Sequence, residues 1–598
     1  MCGIAGIFHG DWGSMADALQ LQRMVSVLRH RGPDEEAVYA DGPIGLGVRR
    51  LRVIDVAGGK QPMFNEDRSV ALVFNGEIYN FLDLRRDLLA KGHRFATLSD
   101  TEVIVHAYEE YGEACVDRLR GMFAFALWDS RRRELFLARD RMGIKPLYYF
   151  WDGHKFLFGS EIKAILQDPA VRRDVDPLAL DDYFTFNYIP APKSIFRCIR
   201  KLLPAHTLRV SASGLVEHEY WDLVFEPHDG CDEADYAAGL RHQLRESVRL
   251  HLTSDVPVGV FLSGGVDSSA VTATMAELVD GPVDTVSIGF DAPAFNELPY
   301  ARAVTRGCAA RARERILPPE AARIVDVLTW YYDEPFADSS MVPTYHLSQL
   351  AREHLTVCLA GDGGDEMFAG YARFHDFQQR SLHDPAAAER HFFHRKTSMT
   401  ATMREQLYGG WLKRAIHDYD PFSVLQTSFD RTRQWDPLSR IQYVEAKTYL
   451  TGDLLTKVDR ASMAHGLEVR VPFLDHELME YAARMPPGYK LRDGVTKYIL
   501  KQAFRDRLPE QVLTRSKMGF SMPLANWFRG ELKGLFEERV FARDVCLTEW
   551  FDLEPVRTWW TEHQAGVHDH NRLFWCLLVL ESWARRFLPS HRSRPPEP

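Results

Sequence analysis

The chain has 598 residues, 45% of them hydrophobic and 26% charged, with a formal net charge of −10. This is globular composition, and at roughly 150 residues per domain it suits two or three domains, while a mildly acidic chain without long basic runs is a poor candidate for nucleic-acid or anionic-membrane binding. Eight cysteines without a CxxC pair argue against a disulfide scaffold or structural zinc site, and no apolar run approaches the ~20 residues that cross a bilayer, so a cytoplasmic protein is expected.

The N-terminal third has a strand-rich pattern. Ile4–Phe8, Val70–Phe74, Met122–Trp128, Glu134–Ala138 and Phe156–Phe158 are short apolar or alternating runs bounded by turn residues. One helix interrupts them, Leu82–Ala90, with Asn80 as N-cap and Gly92 just past its end. Turn residues at Asp129–Arg133 and Trp151–His154 predict antiparallel hairpins, and two packed sheets would bury such a set. The polar stretch Glu226–Glu233 reads as a linker. Helical periodicity follows over Asp235–Leu252, then a buried strand at Val256–Leu262. A helix over 268–280, a strand Val283–Phe290, a helix over 297–310 and a strand Leu355–Ala360 continue the alternation, which predicts a parallel sheet with helices on both faces. From about residue 375 the pattern is mostly helical, and residues 586–598 are expected to be a disordered tail.

Met1-Cys2-Gly3 places a thiol where methionine removal would leave it beside a free α-amino group. Such an amine, with a pKa of about 7.7–8.0, can act as general base for its own sulfur. An isolated terminal cysteine is more often a small buried apolar residue. This one is followed by His30-Arg31-Gly32-Pro33-Asp34, Arg50-Leu51-Arg52, Phe74-Asn75-Gly76-Glu77 and Ser99-Asp100-Thr101-Glu102. Acyl transfer from glutamine needs a cation for the substrate carboxylate, acids for its ammonium and an oxyanion hole. Arg50 offers a two-point clamp, Glu77 and Asp100 the acids, and the Asn75 amide with the Gly76 N–H the oxyanion donors. Asn-Gly alone would read as a hairpin turn. As an ordered set, these residues resemble the glutaminase domain of class II glutamine amidotransferases, over about residues 2–190. The resemblance implies an Ntn-hydrolase αββα sandwich, with Cys2, Asn75 and Gly76 catalytic and Arg50, Asn75, Gly76, Glu77 and Asp100 binding glutamine.

Ser263-Gly264-Gly265-Val266-Asp267-Ser268-Ser269 follows the apolar strand and opens a helix. Its glycines bring backbone N–H groups close to phosphate, its serines add donors, and the helix N-terminus adds partial positive charge. Asp267 makes sense in such a site with a bridging Mg²⁺. Without the GxxxxGK[ST] lysine this is not a Walker A loop. It resembles the pyrophosphate loop of enzymes that cleave ATP between the α- and β-phosphates. A second acidic loop, Ala360-Gly361-Asp362-Gly363-Gly364-Asp365-Glu366, offers Asp365 as another Mg²⁺ ligand.

Together the halves are similar to the glutamine-hydrolysing asparagine synthetases over about residues 2–535, with further matching segments at 333–336, 457–463, 468–475 and 515–520. The resemblance implies an α/β protein: the sandwich over 2–215, and over 235–585 a doubly wound parallel sheet with a helical C-terminal region. It implies that Cys2 releases ammonia from glutamine and that ATP adenylates the aspartate β-carboxylate. Pyrophosphate would leave into Ser263–Ser269, and ammonia would travel through an interior channel. Leu262, Ile288, Ala360 and Gly361 match nucleotide contacts, Lys517 would neutralise phosphate charge, and Asp362 stands where some relatives carry a catalytic Glu. Glutamine, aspartate and ATP-Mg²⁺ are the implied partners, in a homodimer without nucleic acid or membrane. Thr448-Tyr449-Leu450 and the 105–115 segment resemble amidotransferases associated with bacterial exopolysaccharide and exosortase loci, which leaves another carboxylate acceptor open. A non-catalytic glutamine or nucleotide sensor would need neither Cys2 nor Lys517. His568-Asp569-His570-Asn571 lacks a clear third ligand and reads as a polar surface loop.

Overall fold

The computed structural model describes residues 1–588 apart from 12, 229, 319–322 and 521. In the N-terminal half, strands β1 (Cys2–His9), β2 (Glu35–Asp41), β3 (Ile44–Arg50), β4 (Met63–Phe64), β5 (Val70–Ile78) and β6 (Gly121–Asp129) come first. They are followed by β7 (Glu134–Arg139), β8 (Tyr148–Trp151), β9 (Lys155–Gly159), β10 (Ile199–Lys201), β11 (His206–Ser211) and β12 (Gly214–Glu219). Antiparallel pairing sorts them into two sheets, β10-β8-β9-β1-β3-β2 and β12-β11-β7-β6-β5-β4. The facing surfaces share a core that includes Ile4, Phe8, Val48, Val73, Ala126 and Phe158. β5 is buried at every position, because its second face packs beneath the helices Phe81–Ala90 and Asp100–Tyr111. The helix Ala18–Ser26 covers β1 and β3 on the other side, completing an αββα sandwich.

The helix Asp100–Tyr111 lies outside the sequence reading because its first nine residues are all buried, so it lacks the polar face that marks an amphipathic helix. Asn80 precedes its helix without capping it. Its side chain instead donates to Arg118 O and accepts from Arg120 N, at 2.9 and 3.0 Å. In the expected linker the next helix begins at Glu233, with the Asp232 side chain as N-cap.

The C-terminal half is built on five parallel strands: β13 (Val258–Phe261), β14 (Asp284–Phe290), β15 (Arg311–Leu317), β16 (Val357–Leu359) and β17 (Glu468–Arg470). Their order is β15-β14-β13-β16-β17, so chain direction across the sheet reverses between β13 and β16. Ligands of such sheets bind at that switch point, beyond the carboxyl ends of the strands. Both sequence-identified loops start there. Helices Val266–Ala276, Leu298–Gly307, Met341–Arg352 and Leu455–Met463 pack on the sheet, and from Ala372 onward the chain is almost entirely helical. β15 escapes sequence patterning because its Arg-Ala-Arg-Glu-Arg stretch reads as polar, and β17 because it is three residues long. The last helix runs to Phe587, and the rest of the expected tail from 589 lies outside the described residues. Among the described residues no helix is long and apolar enough to cross a membrane.

Buried ion pairs join the halves: Arg31 to Asp459 at 2.8 Å, Glu161 to Arg460 at 2.7 Å and Arg120 to Asp475 at 2.8 Å. In this seam lies a small cavity of about 30 Å³, lined by Tyr148, Ile189 and Lys201 on one side and Thr451, Asp459 and Arg460 on the other.

Candidate active sites

Cys2 opens β1 and is buried between the sheets. Its amide N–H donates to Asn75 Oδ1, on the facing sheet, at 2.9 Å. Asn75 is fully buried, and among the described residues its Nδ2 has no hydrogen-bond partner. A buried donor left free beside a nucleophile is what an oxyanion hole requires. At Gly76 a Cβ would lie 2.1 Å from Met122 O, so the close approach of β6 admits only glycine. Arg50 is the strand partner of Cys2. Its guanidinium is held by Glu35 at 2.9 Å and by the carbonyls of Ile54 and Asp55 at 3.1 and 2.8 Å. These three bonds position the fork and leave two of its five N–H donors outside them. Asp100 Oδ2 accepts from Ile78 N at 2.9 Å, which sets it beside Glu77 at the end of β5.

Burial dominates the electrostatics here. It pushes Asp100 up to about 6 and Glu77 well above the usual carboxylate range. It also pushes the Cys2 thiol up, against the terminal ammonium, the Leu51 amide and Arg50. Met1 precedes Cys2 in the chain, and its ammonium lies 2.9 Å from Glu468 Oε2, a residue of the C-terminal half. Sequence reasoning placed Glu468 and Arg470 in a motif of the synthetase half but gave them no part in this site, where Arg470 lies 3.7 Å from Glu77.

The second site is a cavity of about 390 Å³ at the switch point. Leu262, Ser263, Gly265, Asp267, Ser268, Ile288, Ala360, Gly361, Asp362, Asp365 and Lys517 line it. Gly264 turns against the backbone of Ala301, and Ser269 is buried behind the loop. Leu262 and Ile288 stand on adjacent strands, tied by Leu262 N to Val286 O at 2.9 Å and Ser287 Oγ to Leu262 O at 2.6 Å. Ser263 and Ser268 hydroxyls meet at 3.1 Å across the mouth of the helix Val266–Ala276. A Cβ on Gly361 would fall 2.7 Å from Ser268 N, so the two loops touch backbone to backbone.

Three cations gather at this mouth. Lys517 is 2.6 Å from Asp365 Oδ2, Lys497 is 2.6 Å from Asp365 Oδ1 and also pairs with Asp267, and Arg515 is 2.5 Å from Glu297. Despite its burial, Asp365 is held well below the usual range by Lys497 and Lys517, whereas burial raises Asp267 and Asp362. Lys497 carries no sequence signal. Its backbone is left-handed, with φ of 54°, just ahead of a short helix, and it lies 230 positions from Asp267. Among the described residues Asp267 Oδ1 is buried without a hydrogen-bond partner, so the two carboxylates fit a divalent cation with oxygen ligands. Farther in, Lys457 and Asp338 pair at 2.9 Å beside Tyr371 and Tyr449. Tyr449 belongs to a π-helical stretch, Ala446–Leu454, an arrangement concentrated at functional sites.

The His568–Asn571 segment forms a local polar network. His570 pairs with Glu562 at 2.9 Å, and Asp569 accepts from the Asn571 amide at 2.8 Å. The group of metal-competent side chains found elsewhere, His93, His106 and Glu109, belongs to neither site.

Residues 239–585 match the family model for asparagine synthase, and residues 1–221 that for the glutamine amidotransferase domain. Glutamine-hydrolysing asparagine synthetase 1 of Bacillus subtilis is 32% identical, over 100% of this chain and 99% of its own. Glutamine-hydrolysing asparagine synthetase 3 of the same organism is 36% identical over 86% of each chain, and the amidase chyE of Penicillium rubens 29% over 88% of each.

Proposed function

The chain belongs to the asparagine synthase family as an ATP-dependent, glutamine-hydrolysing carbon–nitrogen ligase, and on that premise we propose that its acceptor is free aspartate, converted to asparagine. The observation that carries the acceptor is the Lys457–Asp338 pair lining the cavity beyond the phosphate loop. An ammonium and a carboxylate side by side match the α-carboxylate and α-ammonium of a free amino acid. A carboxylate without a free α-amino-acid group would leave the Lys457–Asp338 pair closed on itself.

In this reading Met1 is removed and the Cys2 amine takes the proton of its own thiol. The thiolate attacks the glutamine amide carbon, while Asn75 Nδ2 and the Gly76 N–H stabilise the oxyanion. Ammonia leaves, and water later releases glutamate from the thioester. Arg50 positions the substrate carboxylate, and Glu77 with Asp100 its ammonium. In the second cavity the aspartate β-carboxylate attacks the α-phosphorus of ATP. Pyrophosphate departs against the Ser263–Ser269 donors, with Lys497 and Lys517 balancing its growing charge. Asp267 and Asp365 would hold Mg²⁺, which when bound neutralises phosphate oxygens. Asp362, half-buried at the same wall, takes the proton as ammonia attacks the acyl-adenylate. The seam cavity beside Asp459 and Arg460 lies on the proposed ammonia path. A cytoplasmic homodimer is part of the same proposal.

The test is incubation of the purified protein with ATP, Mg²⁺, glutamine and aspartate. Asparagine, AMP and pyrophosphate are expected in equal amounts. Glutamate and AMP without asparagine would overturn aspartate as acceptor, and ADP in place of AMP would overturn the adenylation.

A further inference from the structure

The glutaminase site is closed by a strand of the other half. β17 is buried along its whole length, Glu468-Val469-Arg470. Arg470 Nη2 lies 3.7 Å from Glu77 Oε2, and among the described residues neither atom has a hydrogen-bond partner. Arg470 does not reach there by chance of rotamer. Its Nε donates to Glu468 Oε1 at 2.6 Å, and its Nη1 donates to the carbonyls of His251 and Thr253 at 2.6 and 2.7 Å. The backbone beneath is equally fixed: Glu468 N donates to Thr356 O at 2.9 Å, and Ala360 N to Arg470 O at 2.8 Å. The guanidinium therefore rides on the sheet that also carries the acidic loop, and not on a mobile segment.

We propose that Arg470 is a positioning residue of the glutaminase, supplied by the synthetase sheet, which orients Glu77 and its negative charge for the α-ammonium of glutamine, with Glu468 holding Arg470 in place. Glu77 is in an unfavourable place for a charge. Burial disfavours its carboxylate first, and Glu468 on β17 and Asp100 on its helix add like-charge repulsion. Arg470 and the terminal ammonium oppose them. Cys2 on β1 and Tyr79, beyond the end of β5, are the other titratable groups within electrostatic reach. Of the two opposing cations, the ammonium is that of Met1 and leaves with it in the proposed mature chain, whereas the Arg470 guanidinium stays and is charged at every working pH. Without the Arg470 charge, Glu77 would face the like charges of Glu468 and Asp100 with no permanent cation beside it.

The inference rests on the reading of Glu77 as the ammonium holder, so Glu77→Gln is measured alongside it. For Arg470→Gln in the full-length enzyme, the acid limb of kcat/KM for glutamine is expected to move up by about one pH unit, with KM about tenfold higher below it. Ammonia-dependent synthesis, read on the same preparation, is expected to persist. Arg470→Lys restores a cation and is expected to return the limb most of the way. If Arg470→Gln does not fold, the double variant Arg470→Gln/Glu468→Gln, which removes both partners of the buried pair, is compared with Glu468→Gln alone, and its limb should lie higher. Equal loss of glutamine- and ammonia-dependent activity, or a limb that stays at its wild-type position, would show that Arg470 merely ties down the carbonyls of His251 and Thr253. A wild-type KM in Glu77→Gln would overturn the ammonium reading itself. A raised KM there with an unmoved limb in Arg470→Gln would overturn only the role given to Arg470.

Discussion

Arg31 and Asp459 face each other as a two-point ion pair, with nitrogen–oxygen distances of 2.8 and 3.0 Å, in the buried seam between the two halves. The same guanidinium donates through Nε to the carbonyl of Cys2 at 3.2 Å and through Nη1 to Glu161 at 3.0 Å. One side chain thus bridges the backbone of Cys2, the proposed nucleophile, and a helix of the C-terminal half. Both groups are removed from water, so their attraction has to offset two desolvation costs, and the pair is held together by the hydrogen bonds that surround it.

Breaking that pair from one side should be severe. Asp459→Ala leaves the Arg31 charge buried opposite an apolar methyl, and a loss of about 3–5 kcal/mol is expected. Calorimetry should show the transition moving to lower temperature or splitting in two. Replacing both partners together, Arg31→Met with Asp459→Leu, should recover most of the loss. A double variant as unstable as the single one would mean that the ion pair is not the source of the cost.

The two chemistries should separate by mutation. Cys2→Ala is expected to abolish glutamine-dependent asparagine formation and spare the ammonia-dependent reaction, because only the first site loses its nucleophile. Asn75→Ala should keep glutamine binding close to wild type while lowering glutaminase kcat by about 10²–10³-fold, the usual cost of one oxyanion donor. A large change in KM with kcat intact would move Asn75 from transition-state to ground-state binding.

What could be read from the chain depended on sequence distance. Asn75, Gly76 and Glu77 are consecutive, and Ser263–Ser269 is continuous, so both reveal themselves as motifs. Strand patterns predict two packed sheets and a parallel sheet, the family resemblance implies the αββα sandwich, and the switch-point geometry then places the two loops together. Lys497 and Arg470 were not legible as site residues. Each acts on a partner hundreds of positions away, and each sits in a segment too short for any periodicity. Arg50 was legible, but not the Glu35 carboxylate and the loop carbonyls that hold it, since these contacts exist only once β2 and β3 have paired.

Lys497 should matter as much as Lys517. It pairs with both Asp267 and Asp365, so its removal leaves Asp267 without its cation and Asp365 with Lys517 alone, at the proposed place of the ATP phosphates. Lys497→Ala is expected to cut aspartate-dependent pyrophosphate exchange by at least about 10²-fold while glutamine hydrolysis continues. Asp267→Asn should likewise remove AMP formation. Unchanged AMP release in either variant would mean that the phosphates lie elsewhere in the cavity.

The pH response of the first site follows from Asp100. Burial raises this carboxyl to about 6, against the Ile78 N–H that favours its ionised form. An acid that binds an ammonium must be charged to do so. Above about 6 Asp100 is ionised and ceases to limit kcat/KM for glutamine, and below it the rate constant should fall about tenfold per pH unit. Glu77 is raised by the same burial, so the observed limb belongs to the pair and not to one residue. Asp100→Asn is expected to raise KM for glutamine and to change the shape of the limb, leaving one titrating carboxyl. Ammonia-dependent synthesis, expressed per unit of free ammonia, should show no break at this pH, because it bypasses both acids. A glutamine profile that stays level down to about pH 4, where an ordinary carboxyl titrates, would mean that neither buried acid needs to be charged for substrate to bind.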